Sequence, residues 1–527
     1  MHRAAVILLA TVFCAGFLHG QSVDPPGPSG PSGSDPGTSP PTADEMLKKM
    51  DLLIQQNAQL EKQNHELMSV ISAMRQSLAE QSNDQSAELL EAAVAKEIPP
   101  GESRSSPSLA SSTTTGVKTS NEVTGQQENK RWGSYTDNFG FKIVNTEYGD
   151  INLAIYTYGR YLNQRALEPT YTSAFGVVTD LQQRQDFQLQ KVQFKFLGWV
   201  MNPKFRYFLY AWTSNASQGQ PAQVVLAGNV SYTFKPYFTL TPGIMSLPGT
   251  RSVEGNFPFW LAVDSRLIAD EFFRPSYTAG VRASGILRKG LTYQTMIGDN
   301  LSILGVSAAQ LPNYFQTNAT ALVWMPTTGE FGQGFGDFED HQQLATRLAG
   351  HFTYSKENYQ SQPNVDEFEN TQLRLSDGSI IFTPNLFGPG IVIKNAVYKM
   401  VSIDGGLKYH GLALEGEYYP MHRLSNFTGT DTSALKPNLD YGYQLQFSAM
   451  LKPKTLQAYF GGSEVIGHYG QPFDFRAGLN FFPFHNRVVR SNTEFLYLYR
   501  SPVGYPSVPF AFGGTGPIFY TNLEMAF

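Results

Sequence analysis

The sequence of 527 residues is long for a single ordinary domain, unless that domain is a large barrel. Charged residues make up only 16% of it, below the ~25% of a typical soluble domain, whereas glycine, tyrosine and phenylalanine are numerous. The formal net charge of −5 gives no reason to expect a nucleic-acid partner.

Residues 1–20 have the layout of a secretory signal peptide. A short basic start precedes an apolar run from Ala4 to Leu18, which is short for a membrane span. Cys14 lies within this run, and we interpret it as part of the apolar core rather than as a lipidation site. The remaining chain then has no thiol, which excludes disulfides and cysteine-based metal sites. No later stretch approaches the ~18 consecutive apolar residues of a spanning helix, so only a closed barrel could enter a membrane.

A helical segment is predicted ahead of the main domain. Residues 21–43 form a Pro/Gly/Ser-rich spacer that we expect to be disordered. Residues 44–96 carry a 3-4 apolar repeat without proline, which predicts a periplasmic coiled coil for parallel self-association. A single amphipathic helix on a surface is the alternative, but Asn57 and Asn64 at seam positions favour several aligned helices. A polar linker rich in Ser and Thr follows over 97–131.

Residues 132–527 alternate with a period of two and are rich in aromatic residues. The clearest strands are 151–162, 441–451 and 473–481, and several exceed the ~5–6 residues of an ordinary strand. A tilted membrane strand needs ~9–11 residues. We count about sixteen strands, the even-numbered and edgeless arrangement of a membrane barrel, with 137–145 as a further strand or a plug.

The connections between these strands alternate in length. Short turns are predicted at 201–204, 235–236, 288–290, 410–411, 452–454 and 483–486, and long loops near 163–183, 247–274, 356–397, 421–438 and 501–515. Bacterial outer-membrane barrels have this asymmetry, and only segment 326–341 is long on the short-turn side. The predicted fold is therefore all-β: a transmembrane antiparallel β-barrel of about 16 strands, preceded by an N-terminal α-helical coiled coil.

Four features occur together: the signal peptide, the coiled coil ahead of the barrel, a last strand ending at Phe527, and the two-strand segment 398–420. In this combination the chain resembles the phosphate-selective O and P type outer-membrane porins. The resemblance implies a homotrimeric barrel in the cell outer membrane for passive diffusion, with one loop folded inward to narrow the pore. It also implies that the barrel-assembly machinery recognises Phe527. Phosphate selectivity does not carry over, because the family's basic residues cannot be matched one by one.

If the apolar face of each strand meets lipid, the other face lines the lumen. The candidate pore-lining residues are Arg160, Lys191, Lys195, Arg206, Arg282, Arg347, Lys408, Arg476 and Arg490. The acids expected on this face are Asp404, Glu415, Glu417 and Glu494. The basic excess favours anions, because a narrow channel focuses its field. A mixed lining whose charges cancel is the alternative, since a one-residue register slip, such as a bulge between Leu189 and Val192, reverses each assignment.

Segment 247–275 is the candidate constriction loop. Its charged residues are Arg251, Glu254, Asp264, Arg266, Asp270, Glu271 and Arg274. Opposed charges across a narrow pore sieve ions by size and sign. An external loop that makes subunit contacts is the alternative.

These observations predict an outer-membrane porin for small hydrophilic solutes, with anions or phosphate as the preferred class. A barrel-anchored structural protein whose coiled coil tethers the outer membrane to the cell wall is the alternative. We expect no enzymatic activity, cofactor or metal, because the nine histidines are scattered and neither HExxH nor Gly-x-Ser-x-Gly occurs. The expected partners are membrane lipid, further copies in a homotrimer, the barrel-assembly machinery and small solutes.

Overall fold

A computed structural model of the protein describes residues 133–136, 139–213, 224–254, 259–301, 314–358, 373–504 and 508–527. The predictions for residues 1–131 fall outside the described residues and stay predictions. None of the helices in the described part of the chain combines the length and apolar character that crossing a membrane requires.

Strands make up nearly all the regular structure that is described. In chain order they are β1 (Tyr135–Thr136), β2 (Gly140–Thr146), β3 (Gly149–Asn163), β4 (Thr170–Thr172), β5 (Val178–Asp180), β6 (Gln185–Val200), β7 (Asn202–Thr213), β8 (Val224–Lys235), β9 (Phe238–Ser246), β10 (Tyr277–Arg288), β11 (Leu291–Gly298), β12 (Thr317–Trp324), β13 (Ala345–Asn358), β14 (Val392–Tyr409), β15 (Leu412–Thr430), β16 (Asn438–Lys452), β17 (Leu456–Ile466), β18 (Phe473–Phe481), β19 (Val489–Tyr499) and β20 (Gly516–Ala526). Strands β3 and β6 to β20 form a closed barrel of 16 antiparallel strands. Pairing of β20 with β3 closes it. The predicted antiparallel barrel is therefore confirmed.

The period-two pattern of the sequence becomes two different faces of the barrel wall. Along β3 every second residue is buried and those between are partly exposed. Large apolar side chains stand on the exposed outer face, for example Leu348 (50% exposed) and Leu479 (49%). Arginines and carboxylates are buried on the inner face. An apolar outside around a polar inside is what a barrel surrounded by lipid requires.

Short and long connections lie at opposite ends of the barrel, which we call the turn end and the loop end. At the turn end His410 and Gly411, with φ of 49° and 75°, join β14 to β15. Such a pair of left-handed residues is typical of a two-residue hairpin turn. The long segment 325–344 also lies at the turn end, as the sequence indicated.

One predicted loop was placed wrongly. Residues 421–430 continue β15 and only 431–437 connect it to β16, whereas the sequence analysis assigned 421–438 to a loop. The register of β15 against β16 shifts between Tyr419 and His422. At this bulge the alternation of inward and outward side chains changes phase. The strand continues beyond it, but the period-two pattern is interrupted in the sequence.

Where β20 and β3 close the barrel, the wall is extended by β2, which is not one of the sixteen barrel strands. β20 pairs with β3 from Tyr156 to Asn163, and β2 pairs with the remaining part of β3. The Phe527 amide donates to the Ile155 carbonyl at 2.9 Å. The Phe527 ring lies edge-on to Phe141 at 6.1 Å. The segment 137–145 therefore contains a strand, and β2 continues the wall where the last strand stops.

Two connections fold into the interior. The inner loop, described at residues 247–254 and 259–276, contains a 3₁₀ turn at Arg251–Glu254 and helix α1 at Ile268–Phe273, and it contacts inward side chains of the wall. The turn-end insert, residues 325–344, contacts the inner loop within the barrel.

The interior is apolar toward the loop end. A buried cluster, which we call the apolar cap, joins α1 to strand residues and to the connections before β14 and before β20. It includes Phe272, Phe273, Leu373, Leu375, Ile381, Phe382, Tyr398, Tyr419, Leu496, Val503 and Phe510. The sequence analysis assigned the inner face to the lumen and expected only segment 247–275 to fold against it. Here that face packs against folded-in loops instead.

Candidate functional site: the barrel interior

Three strand arginines hold the middle of the inner loop. Arg490 donates to the Trp260 carbonyl at 2.6 Å, Arg160 to the Val263 carbonyl at 2.7 Å and Arg476 to the Ser265 carbonyl at 3.1 Å. A buried segment without regular secondary structure needs donors for its carbonyl groups. All three arginines, which the sequence analysis assigned to the pore lining, lie on the inner face and bind this loop.

Two of these arginines, Arg490 and Arg476, lie beside acidic side chains of the wall. Arg490 forms a forked pair with Glu524, with Nε at 2.6 Å and Nη2 at 3.0 Å from its carboxylate oxygens. Arg476 lies 3.7 Å from Glu494 and 3.5 Å from Asp474. Such desolvated pairs fix geometry, and each arginine here is offset by at least one carboxylate.

Three further candidate pore-lining residues also form ion pairs or hydrogen bonds inside the barrel. Arg347 Nε lies 2.6 Å from Asp404. Lys408 donates to the Gly334 carbonyl at 3.0 Å and stands over the Phe331 ring at 4.6 Å. Lys191 forms an ion pair with Asp264 of the inner loop. Its φ of 47° and the register shift beside it confirm the predicted bulge between Leu189 and Val192.

The remaining candidates, Lys195, Arg206 and Arg282, lie on β6, β7 and β10. Lys195 is opposite Ala154, and Arg282 is opposite the buried Met296, so the register places both on the inner face. Arg206 is half-buried opposite Trp199. Strands β7 to β12 carry no Asp or Glu. Arg206 and Arg282 therefore lie on strands without acidic residues, whereas Lys195 lies on β6, which carries Asp186.

Acidic side chains are more frequent on the inner face than the sequence analysis found. Those expected, Asp404, Glu415, Glu417 and Glu494, are all buried there. The structure adds Asp150, Glu357, Asp440, Asp474 and Glu524. The basic excess inferred for the whole lining was therefore wrong, because the count left out inward acids on strands whose basic residues had been assigned, such as Asp474 on the strand of Arg476 and Glu357 on that of Arg347.

The charged residues of the candidate constriction loop pair mainly with each other. Arg274 Nε lies 2.7 Å from Glu271, and Arg266 lies 3.2 Å from the same carboxylate. Asp270 accepts from Ser252 at 2.9 Å. Burial raises the pKa of Asp270 although Arg266 opposes the rise, and burial lowers the pKa of Arg266. The side chain of Glu254 lies outside the described residues.

The inner loop and the turn-end insert meet inside the barrel. Arg251 donates to the Gly334 carbonyl at 2.6 Å and lies 3.0 Å from Glu415. The Phe335 amide donates to the Phe259 carbonyl at 2.8 Å. The described contacts of the inner loop are concentrated on β13 to β20, β3 and β6.

A cluster around His351 was missed in the sequence. Its Nδ1 lies 3.0 Å from the Pro248 carbonyl, and its Nε2 lies 2.7 Å from Asp404. Alternation in β13 puts His351 on the face of Arg347, which was the available signal. His351, Asp404 and Glu417 offer atoms within 4.8 Å of one another. Arg347 already binds Asp404, and Ser402, Tyr419 and Gln444 bind Glu417, so the cluster suits anchoring of the loop better than a cation.

Comparison with known proteins gives structural similarities only. No family model matches the sequence, and no curated protein matches it. The fold is similar to the outer-membrane expressed OmpT of Vibrio cholerae, at 8% identity and a TM-score of 0.46, with 73% of this chain and 99% of that chain covered. It is similar to the outer membrane channel DcaP of Acinetobacter baumannii, at 7% identity and a TM-score of 0.45, with 73% and 99% covered. It is also similar to the anion-selective porin from Comamonas acidovorans, at 10% identity and a TM-score of 0.42, with 72% and 100% covered. All three scores lie below 0.5, so the fold assignment rests on the strand pairing described above.

Proposed function

We propose that the protein is an outer-membrane porin through which small hydrophilic solutes diffuse passively. The observation that carries the proposal is the closed barrel with an apolar exposed outer face, a polar inner face and a loop folded against that inner face. A barrel without edges satisfies every backbone group in lipid. A barrel of this strand number is wide enough to leave an aqueous channel.

The proposal includes an orientation and an assembly. The turn end faces the periplasm and the loop end faces the outside, as in bacterial barrels with short periplasmic turns. The protein acts as a homotrimer, is inserted by the barrel-assembly machinery with Phe527 as part of the signal, and has neither cofactor nor enzymatic activity.

Preference for anions is the finer part of the proposal. On the wall that carries the inner loop, bases and acids cancel in short pairs. Lys195, Arg206 and Arg282 lie on or beside strands that carry no acid. A solute passing this wall meets a net positive field, which a low-dielectric surround focuses. Phosphate is one small anion that such a field admits.

Electrophysiology on the purified full chain tests both parts. We expect stepwise ion conductance in planar bilayers, and a protein that inserts stably without conducting would refute the porin assignment. Under a salt gradient the reversal potential is expected to have the sign of anion selectivity. Substitution Arg282→Glu should shift it toward cations, while the control Arg288→Glu, at the exposed turn end of β10, should leave it nearly unchanged. A cation-selective wild type would refute the anion preference alone.

A further inference from the structure

A row of paired residues crosses four strands on the outer face of the barrel, toward the loop end. Lys399 of β14 is directly opposite Tyr354 of β13 on one side and Arg423 of β15 on the other. Arg423 is in turn opposite Leu439 of β16. The residues next to Lys399 and Arg423 in the chain are buried inside the barrel, and these are Tyr398, Met400, His422 and Leu424. Lys399 and Arg423 themselves therefore point outward. We call Tyr354, Lys399 and Arg423 the outer basic row.

The row places two positive charges side by side. Directly opposite side chains on one face of an antiparallel pair lie ~4.5–5.5 Å apart at Cβ, and like charges there are destabilising. Lys399 Nζ lies 5.9 Å from the centre of the Tyr354 ring, and Arg423 is exposed. Among the described residues neither forms an ion pair. The pair is unfavourable alone and would be stabilised by an external anion.

The outer basic row also lies at the loop-end edge of the apolar outer surface, which we call the apolar belt. On the same strands, the outward positions toward the turn end are apolar and exposed, as at Phe352, Ile403 and Tyr418. Toward the loop end, outward positions carry the exposed Lys356 and Lys394. Cations therefore replace apolar residues where the apolar belt stops. A membrane presents its charged headgroups at that level.

We infer that the outer basic row binds the phosphate groups of an anionic lipid in the leaflet at the loop end, an inference that rests on the proposed membrane location. The Arg423 guanidinium can hold a phosphate through two parallel hydrogen bonds, and Lys399 adds a point charge beside it. The hydroxyl of Tyr354 lies at the same level as a further donor. The acyl chains of the same lipid cover the apolar belt below. A glycolipid with two phosphates and several acyl chains fits both features together.

Lipid titration of the full-length barrel tests the inference. The protein is purified in a zwitterionic detergent and titrated with a bis-phosphorylated, multiply acylated glycolipid, and bound lipid is counted by native mass spectrometry. The variant Lys399→Gln/Arg423→Gln should bind about 30-fold more weakly, since each basic residue near an anionic surface contributes roughly a factor of five. The matched control Arg288→Gln/Lys289→Gln removes two exposed charges at the turn end and should bind like wild type.

Two comparisons separate the sources of phosphate. The same glycolipid without phosphates should bind equally weakly to both proteins, and millimolar inorganic phosphate should not compete with the intact lipid. Competition by inorganic phosphate would overturn the lipid assignment. Equal binding of the intact lipid by the variant and wild type would overturn the site. Loss of the oligomer in the variant without loss of lipid would assign the row to a contact between protomers and also overturn it.

The conductance of the same preparations keeps this inference distinct from the proposed function. A variant that conducts normally but loses the lipid supports both. A wild type that binds lipid through the row but does not conduct refutes only the porin assignment. A conducting wild type that does not distinguish the two lipids refutes only the lipid site.

Discussion

The buried pair of Arg490 and Glu524 offers the sharpest test of how the inner loop is held. Arg490 contacts both carboxylate oxygens of Glu524 and also donates to the Trp260 carbonyl of the loop. Glu524 is fully buried, and its other described donor is the Tyr156 hydroxyl at 2.8 Å. A further hydrogen bond from Arg490 goes to the Leu261 carbonyl at 3.3 Å. The substitution Arg490→Met keeps much of the side-chain volume and removes all four donated hydrogen bonds.

The expected loss follows from what Arg490→Met leaves behind. An uncompensated buried charge costs about 3–5 kcal/mol when one partner of a buried pair is removed. The unsatisfied Trp260 carbonyl adds roughly 1 kcal/mol. The double variant Arg490→Met/Glu524→Gln removes the orphaned charge and keeps an acceptor for Tyr156. It should therefore be more stable than Arg490→Met by about 2 kcal/mol, a coupling in the range of contacting residues.

Unfolding of the barrel by urea in phospholipid vesicles, followed by tryptophan fluorescence, measures these free energies. Because the loop loses an anchor, single-channel recordings of Arg490→Met should also show a larger or noisier conductance. The control Arg288→Met removes an exposed arginine and should change stability by less than about 0.5 kcal/mol. If Arg490→Met costs less than about 1 kcal/mol, or if the double variant is no more stable than it, the pair is not desolvated and the reasoning fails.

Two further predictions concern the turn-end insert and the packing of the wall. Burial favours the neutral form of His341, but hydrogen bonds with Asp337 and Glu330 outweigh it and raise its pKa from 6.5 to about 9. The stabilisation of the insert is therefore complete below pH 6.5 and lost as the pH rises through about 9; urea midpoints across this range should fall in wild type and stay flatter in His341→Gln. A Cβ at Gly478 would lie 2.4 Å from the Tyr459 ring. We expect Gly478→Ala to cost about 1–3 kcal/mol in the same urea assay, because the ring would have to shift; a neutral variant would contradict this.

Much of the barrel could be predicted from the sequence because a strand in lipid obeys one strict rule. Alternation in segments such as 151–162 and 473–481 gave the correct strands and the correct inner faces. The position of the short turns followed from the same rule, since each turn interrupts the alternation at a regular distance. The bulge near Lys191 was visible in the sequence as a change of phase in the alternation of apolar and polar residues.

The contents of the interior could not be predicted in the same way. Which carbonyl Arg490 or Arg160 binds depends on the path of a loop without periodicity, and periodicity is the signal that sequence reasoning uses. His351 lies on the correct face in the alternation, but its partner at Pro248 is far away in sequence. The apolar cap was missed because Leu373, Phe382 and Phe510 lie in loops, where apolar residues carry no directional pattern.

The uneven distribution of charge inside the barrel follows from the size of the barrel. Sixteen strands enclose a channel too wide to discriminate between small ions by itself, so selectivity depends on what occupies it. A loop anchored on β13 to β20 must neutralise the charges it buries, because an unpaired buried charge costs several kcal/mol. On the opposite wall, strands β7 to β12 carry no Asp or Glu, so acids on the same strands do not offset the basic residues there. Selectivity should therefore be controlled by Lys195, Arg206 and Arg282, while substitutions such as Arg476→Met should alter stability and channel noise more than the reversal potential.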